Sequence, residues 1–477
     1  MSPAEYQPSM PTRRERPATQ FLATRLHAGV AADVSRRHLA CQQSAPTDVG
    51  GCASSAIRSK YETSGWVIGA ILAALVLQAD VVFAAATKVG FDENQVMVIN
   101  GQRVFPIGVS LPPPPEGMTP GGKNGIQELA EAGVMFLRTG VFGRPWDDAA
   151  IAQELKYFDA AAKCGIYCMP NLRELARLQE GDTAGEKLQR QLMNLLKDQP
   201  AMGVWKGVDE PLLTANRATP ETMRRAYRRM REIDPSHPVW VVHSAGAAAE
   251  QVKEFNDTCD ILGADVYPIR YPNPANLAGL KKVSVVGDVT QKMMKVAAGR
   301  KPVWLTLQIA WSGVIPPKHT LRFPTFPEER FMTYQAIING ARGIVYFGGH
   351  WPESLSAEDA RLGWNWRFWS RVLRPVVEEI GNKSPLAPAL VAAESKLAVK
   401  VEGGEGIEWC VRETDGGLFI LACKREGETV QVTFRGLPQN LREGEVLFEE
   451  PRKVKAEGGS FTDWFGPLEV HVYRFRS

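Results

Sequence analysis

At 477 residues the chain is too long for one small domain and, at roughly 150 residues each, has room for two or three. Hydrophobic residues make up 44% and charged residues 23%, an ordinary globular balance. A formal net charge of +3 is trivial at this length and excludes a nucleic-acid footprint or polybasic membrane docking.

Residues 1–60 mix Arg pairs, Pro, Ser and Ala with no helical or strand period, and are expected to form a leader without regular structure. The apolar run from Trp66 to Ala86 follows Arg58 and Lys60 and ends in small residues, the pattern of a secretory signal. Asp80 interrupts it, which favours a signal over a spanning helix. Residues 61–86 therefore predict a secreted or periplasmic protein, with a retained membrane anchor as the alternative. A signal 60 residues from the first Met is expected to reflect a start assigned too far upstream or a cytoplasmic tail. The seven cysteines have no metal-ligand spacing. Cys410 and Cys423 lie on two strands flanking a turn, where a bridge is conceivable but not indicated.

From residue 95 the text turns to alternation. "QVMVINGQRVFPIGVS" reads as two short strands around an Asn-Gly turn, the second leading to the prolines at 112–115. Apolar strands then take turns with helical patterns. Strand-like segments at 133–140, 165–172, 202–211 and 238–246 precede helices expected at 147–164, 183–198, 220–233 and 247–255. Those at 259–268, 301–311 and 342–351 precede helices near 285–298, 327–340 and 364–380. With the strand ending at Val109 there are eight, each continuous enough to be buried on both faces of a parallel sheet. The fold class is α/β, and eight units fit a (β/α)8 TIM barrel over 95–382. No G-x-G-x-x-G follows the first strand, so no dinucleotide site is expected. Over 383–477 the helical period vanishes, and short alternating strands between Gly, Asp and Asn turns predict a small antiparallel β-sandwich.

Barrel active sites lie at the carboxyl ends of the strands. The second strand brings Arg138 there, the third Asn171 and Glu174, and the fourth the adjacent pair Asp209 and Glu210, stopped by Pro211. The fifth brings His243, the sixth Asp265 and Tyr267, the seventh Gln308 and Trp311, and the eighth Tyr346, His350 and Trp351. With His243 and His350 the only candidate imidazoles, no metal or cofactor is expected. Carboxylates among Trp and Tyr suit sugar chemistry. One carboxylic acid protonates the glycosidic oxygen, a second carboxylate acts as nucleophile or activates water, and indole faces stack on sugar rings.

Several segments also carry a resemblance. "DEP" at 209–211 resembles the Asn-Glu-Pro that closes the fourth strand of clan A (β/α)8 glycoside hydrolases. "INGQRVFPIGV" resembles their entry strand, and "RFPTFPEERFMTYQAIINGARGIVYFGG" the segment from helix 7 to strand 8 of a poorly characterised bacterial group. The ending "FTDWFGPLEVHVYRF" resembles their accessory sandwich. The resemblance covers roughly 95–477 and implies a glycoside hydrolase on a carbohydrate substrate, with Glu210 as acid/base. It also implies a Glu nucleophile closing strand seven, where this chain has Gln308, an amide that cannot form a glycosyl ester. Three routes remain open. Asp265 or Glu174 activates water and the reaction inverts; Asp209 orients a 2-acetamido group that attacks in its place; or the barrel binds carbohydrate without cleaving it. The second route needs the strand to break before Pro211, because successive strand residues face opposite sides. On this reading Glu210, Asp209 and Asp265 are the catalytic candidates. Arg138, Asn171, Glu174, His243, Tyr267, Gln308, Trp311, Tyr346 and Trp351 are the substrate-binding ones.

Overall fold

The computed structural model describes residues 86–476, apart from 214–215, 271–281, 313 and 315–319. The leader and the expected signal or anchor segment lie outside the described residues, save Ala86.

Strands β1 (Val89–Phe91), β2 (Met97–Ile99) and β3 (Gln102–Val104) form a small antiparallel sheet. Its Asn-Gly turn places Asn100 at φ +51° and Gly101 at φ +85°, the pair of left-handed residues a two-residue hairpin turn requires. The expected second hairpin strand is two elements, because Pro106 separates β3 from β4 (Ile107–Ser110).

β4 opens the parallel barrel, which continues through β5 (Phe136–Arg138), β6 (Tyr167–Cys168), β7 (Trp205–Asp209) and β8 (Val239–Ser244). It is completed by β9 (Ile261–Asp265), β10 (Val303–Gln308) and β11 (Gly343–Phe347). The hydrogen-bonded order is β6-β5-β4-β11-β10-β9-β8-β7. Parallel bridges Cys168↔Met202 and Asn171↔Lys206 join the two ends and close the ring. This is the expected (β/α)8 barrel.

Helices start where the sequence caps them. Asn124, Asp147 and Thr219 each accept a first-turn N–H, the last with Pro220 at the first helical position, and Thr325 and Glu328 form a reciprocal box. The helix Gly125–Ala132 was not among those expected; Asn124 opens it and Gly133, at φ +117°, ends it.

The barrel interior is filled by size complementarity. Phe136, Met169, Val204, Trp240, Val242, Ile261, Trp304 and Val345 form one buried cluster with Met97 and Ile99 of the hairpin. The hairpin therefore stoppers the amino-terminal end. The Trp240 and Trp304 rings lie 5.7 Å apart, each indole occupying space left by a glycine on the next strand. A Cβ at Gly263 would sit 2.4 Å from Trp240 Nε1, and one at Gly343 would sit 2.7 Å from Trp304 Nε1.

After the barrel, β12 (Lys400–Glu402), β13 (Ile407–Thr414), β14 (Gly417–Lys424) and β15 (Val430–Arg435) lead to β16 (Glu443–Leu447), β17 (Arg452–Lys455), β18 (Ser460–Phe465) and β19 (Val470–Phe475). They form antiparallel sheets β12-β15-β18 and β13-β14-β19-β16-β17. Three of these strands, β16 to β18, go beyond the five alternating segments seen in the sequence. One face of the larger sheet, including Phe419, Leu421 and Val472, joins the barrel core. The other, including Ile420, Tyr473 and Phe475, packs on Val432, Phe434 and Phe461 of the smaller sheet. The helix Phe326–Ile338 lies between barrel and sandwich, and its last ten residues are all buried. Cys410 and Cys423 are free thiols, their strand partners being Leu421 and Glu408.

Gly263→Ala drives a methyl group into Trp240 and the Val241 carbonyl. The substitution is expected to cost about 1–3 kcal/mol by urea denaturation. An unchanged midpoint would contradict this packing.

Candidate active site

The decisive local event is in β7. Its register against β8 runs Trp205↔Val239, Lys206↔Trp240, then Asp209↔Val242, so three residues of β7 stand against two of β8. This bulge resets the alternation. Without it Lys206 and Asp209, three apart, would face opposite sides; with it both face the interior, while Trp205 and Val208 join the outer core. Gly207 suits the bulge, since a Cβ there would meet Val241, Val239 and the Trp240 carbonyl at 3.2–3.3 Å. The strand ends at Asp209, and Glu210 takes φ +48°, a left-handed conformation costly for a non-glycine residue. Its N–H still bonds the Val242 carbonyl at 2.8 Å. The strand thus breaks just before Pro211, and both adjacent carboxylates line one cavity.

That cavity holds about 170 Å³, below the 300–1,000 Å³ of drug-sized sites and of the order of a single sugar ring. It is lined by Asp209, Glu210 and Asp265, by the cations Arg138 and Lys206, and by an aromatic wall that includes Tyr267, Trp311, Phe347 and Trp351. Tyr267 stacks on Trp311 at 4.6 Å, and Phe142 meets Trp351 edge-on at 5.8 Å. Arg270 lies over the Trp311 ring at 5.3 Å.

The three carboxyl groups are poised differently. Burial would push Asp209 up, but Lys206 Nζ at 3.0 Å and Arg138 at 3.9 Å together hold it below the usual carboxylate range. Burial and the Asp209 charge push Glu210 up to about 7, against a hydrogen bond from Ser244 and the charges of Lys206 and Arg270. Burial, then Glu210 and Asp209, push Asp265 well above its ordinary value. The cavity therefore holds one fixed carboxylate, Asp209, beside two carboxyl groups that burial and neighbouring charge shift toward the neutral form. Arg138 Nε, Asp265 Oδ1, Thr306 Oγ1 and Trp351 Nε1 are buried with no hydrogen-bond partner in the protein. Each belongs to a cavity-lining residue, and a ligand rich in hydroxyl groups would match them.

Of the residues singled out in the sequence, Asp209, Glu210, Asp265, Arg138, Tyr267, Trp311 and Trp351 come together here. Five do not line the cavity. Gln308 is fully buried and spends its amide on the Ile269 backbone, accepting from its N–H at 2.8 Å and donating to its carbonyl at 3.1 Å. It braces the loop after β9 instead of meeting substrate. His243 and Tyr346 fall on the outward phase of their strands. The first packs against Phe255, with burial lowering its pKa to about 4, and the second bonds Thr333 at 2.9 Å. Asn171 donates to the Val141 carbonyl at 3.1 Å while helping to close the barrel. Glu174 sits on a short 3-10 turn beside Arg173. Lys206, Ser110, Thr306 and Phe347 line the cavity without having been chosen from the sequence. For Lys206 the signal was a lone cation in an apolar strand. Among the described residues, no group of three or more His, Cys, Asp or Glu could hold a metal ion.

No family model matches this chain, and no curated protein matches it. Solved structures do. A family 5 glycoside hydrolase from Bacteroides vulgatus is 13% identical with a TM-score of 0.56, over 81% of this chain and 92% of that one. An α-amylase from Geobacillus thermoleovorans, complexed with acarbose, is 10% identical with a TM-score of 0.52, over 79% and 100%. An Anoxybacillus α-amylase is also 10% identical at 0.52, over 78% and 99%. At such identities the likeness establishes the fold, a (β/α)8 barrel shared with glycoside hydrolases.

Lys206→Met tests the electrostatics. It leaves a carboxylate facing a cavity without its nearest cation. We expect a loss of about 1–3 kcal/mol at pH 7, less than a fully buried pair costs because water in the cavity screens Asp209. In the native chain the lowered Asp209 pKa contributes stability above the unfolded value of about 3.9, which is lost as pH falls through the folded value. In the variant the pKa rises instead, so its penalty is relieved on acidification. The difference between the two proteins in urea denaturation should therefore shrink from pH 7 to pH 3. A difference independent of pH would mean that Lys206 only fills space.

Proposed function

We propose that this chain is a secreted glycoside hydrolase acting on an oligo- or polysaccharide, with Glu210 as the general acid. One observation carries the reading: two adjacent carboxyl groups enter the same cavity and are shifted in opposite directions, Asp209 held below the usual carboxylate range and Glu210 pushed up to about 7. An acid and a fixed carboxylate are the two groups that glycosidic cleavage needs. The aromatic wall and the unsatisfied donors and acceptors suit a sugar ring, and the neighbours in fold hydrolyse or bind sugars by their descriptions. Secretion rests on the apolar run of residues 66–86.

In this reading Glu210 delivers its proton to the glycosidic oxygen as the bond to the anomeric carbon breaks. Asp209 faces the positive charge that develops on the ring. With an amide at 308, tied to Ile269, that position supplies no nucleophile. The displacing oxygen comes either from water, which passes its proton to the Asp265 carboxylate and gives inversion, or from a 2-acetamido group of the sugar held by Asp209, giving net retention. Burial and the neighbouring Glu210 and Asp209 charges raise the Asp265 carboxyl well above its ordinary value, which makes it a stronger base when ionised and a hydrogen-bond donor to a sugar hydroxyl when protonated.

Activity requires Glu210 protonated, so kcat/KM should fall as pH rises through about 7. Glu210→Gln should lower kcat/KM by about 10²–10⁴-fold and abolish that alkaline limb, with near-UV circular dichroism unchanged. NMR of the first anomer released from an oligosaccharide panel separates the two displacements. Unchanged turnover in Glu210→Gln would remove the acid assignment. Saturable binding without product in the native protein would favour a barrel that only binds carbohydrate.

A further inference from the structure

The smaller sheet of the sandwich turns one face to its partner and the other to solvent. On β15, Val432 and Phe434 are buried while Gln431 and Arg435 are exposed; on β18, Phe461 and Phe465 are buried while Thr462 and Trp464 are exposed. Trp464, at 58%, is the most exposed large apolar side chain among the described residues. Its register neighbour is Gln431, and Thr462 faces Thr433 with their hydroxyls 2.8 Å apart. Beyond them Arg435 pairs with Glu402 of β12 at 2.5 Å.

We infer that this face is a second carbohydrate site, which holds an uncharged polysaccharide chain by stacking on Trp464 and hydrogen bonding along Gln431, Thr433 and Thr462. Two features select that occupant. A protein partner would want apolar neighbours around the indole, and here the flanking outward positions carry amide and hydroxyl groups. A charged glycan would want a cation beside the ring, and the outward cations of β12 and β15, Lys400 and Arg435, stand opposite one another at the far end of β15 from Gln431, with Arg435 paired to Glu402. The platform is also held from beneath. The Trp464 N–H donates to Asp463 Oδ1 at 2.9 Å, and its carbonyl accepts from His471 Nε2 at 3.1 Å. Asp463 Oδ2 in turn accepts from Arg452 and Tyr473, both at 2.8 Å. Bracing the backbone lowers the ordering cost of binding through a single aromatic anchor. The inference takes its ligand class from the carbohydrate reading of the barrel and is independent of catalysis there.

The test is retention of the full chain on insoluble cellulose, chitin, xylan and starch granules. Native protein should be retained on at least one. Trp464→Ala should weaken retention about tenfold or more, with Trp464→Phe in between, while hydrolysis of a short soluble substrate and near-UV circular dichroism stay native. Glu210→Gln should be retained like native protein, which separates this surface from the cavity. Retention that depends on Trp464 in a protein without turnover would support this site while removing the enzymatic reading. Equal retention of native protein and Trp464→Ala would overturn the proposal, as would no retention on any of the four. A dimer in sedimentation that is lost in Trp464→Ala, without retention, would overturn it in favour of a second copy of the chain.

Discussion

An ammonium group buried in the mouth of a barrel must find a carboxylate or lose its charge. Lys206 finds Asp209 at 3.0 Å, and the rest of the site follows from that contact. The pair exists because β7 carries one residue too many, which brings both side chains to the interior. Asp209 then stays ionised despite its depth, and its charge, added to burial, raises the pKa of the next residue. A bulge, a buried cation and a strained Glu210 together turn two chemically similar neighbours into an anion and an acid. The left-handed backbone at Glu210 is the kind of local cost that a fold retains where geometry matters.

The barrel beneath this mouth is filled by side chains. Trp240 and Trp304 over Gly263 and Gly343 give it a floor, and the amino-terminal hairpin seals its far end. Outside, the sandwich is joined to the barrel by a common core and by buried polar clamps. Arg330 bonds both Glu379 oxygens and the Val470 carbonyl, and Glu408 accepts from Gln335 and Asn339. Glu426 caps Ser284 at the start of the helix Val285–Ala297, which follows the β9 loop. The sandwich thus fixes two helices of the barrel.

Eight apolar strands alternating with helical patterns made the architecture legible, since burial on both faces leaves a continuous apolar signature. The hairpin was legible because Asn-Gly suits only a few turns. The helix Gly125–Ala132 was hidden by the proline run before it, and β16 to β18 by their mixed, half-exposed pattern. The site was legible as a list of strand ends but not as a set of directions. His243 and Tyr346 sit one residue out of phase with Val242 and Phe347, and nothing local reveals which phase looks inward. Asp209 posed the reverse problem, because a bulge that cannot be read from spacing reverses its expected face. Gln308 looked like a ligand contact because its position is catalytic in the resembled enzymes; the Ile269 backbone that occupies it lies 39 residues away in sequence.

The site depends on opposite poising of two adjacent carboxyl groups. Carboxyl carbon NMR of the native chain, titrated from pH 2 to 9 with assignments from Asp209→Asn and Glu210→Gln, reads both directly. Glu210 should titrate near 7 and Asp209 below the ordinary aspartate range. Two titrations close together near pH 4 would contradict the account.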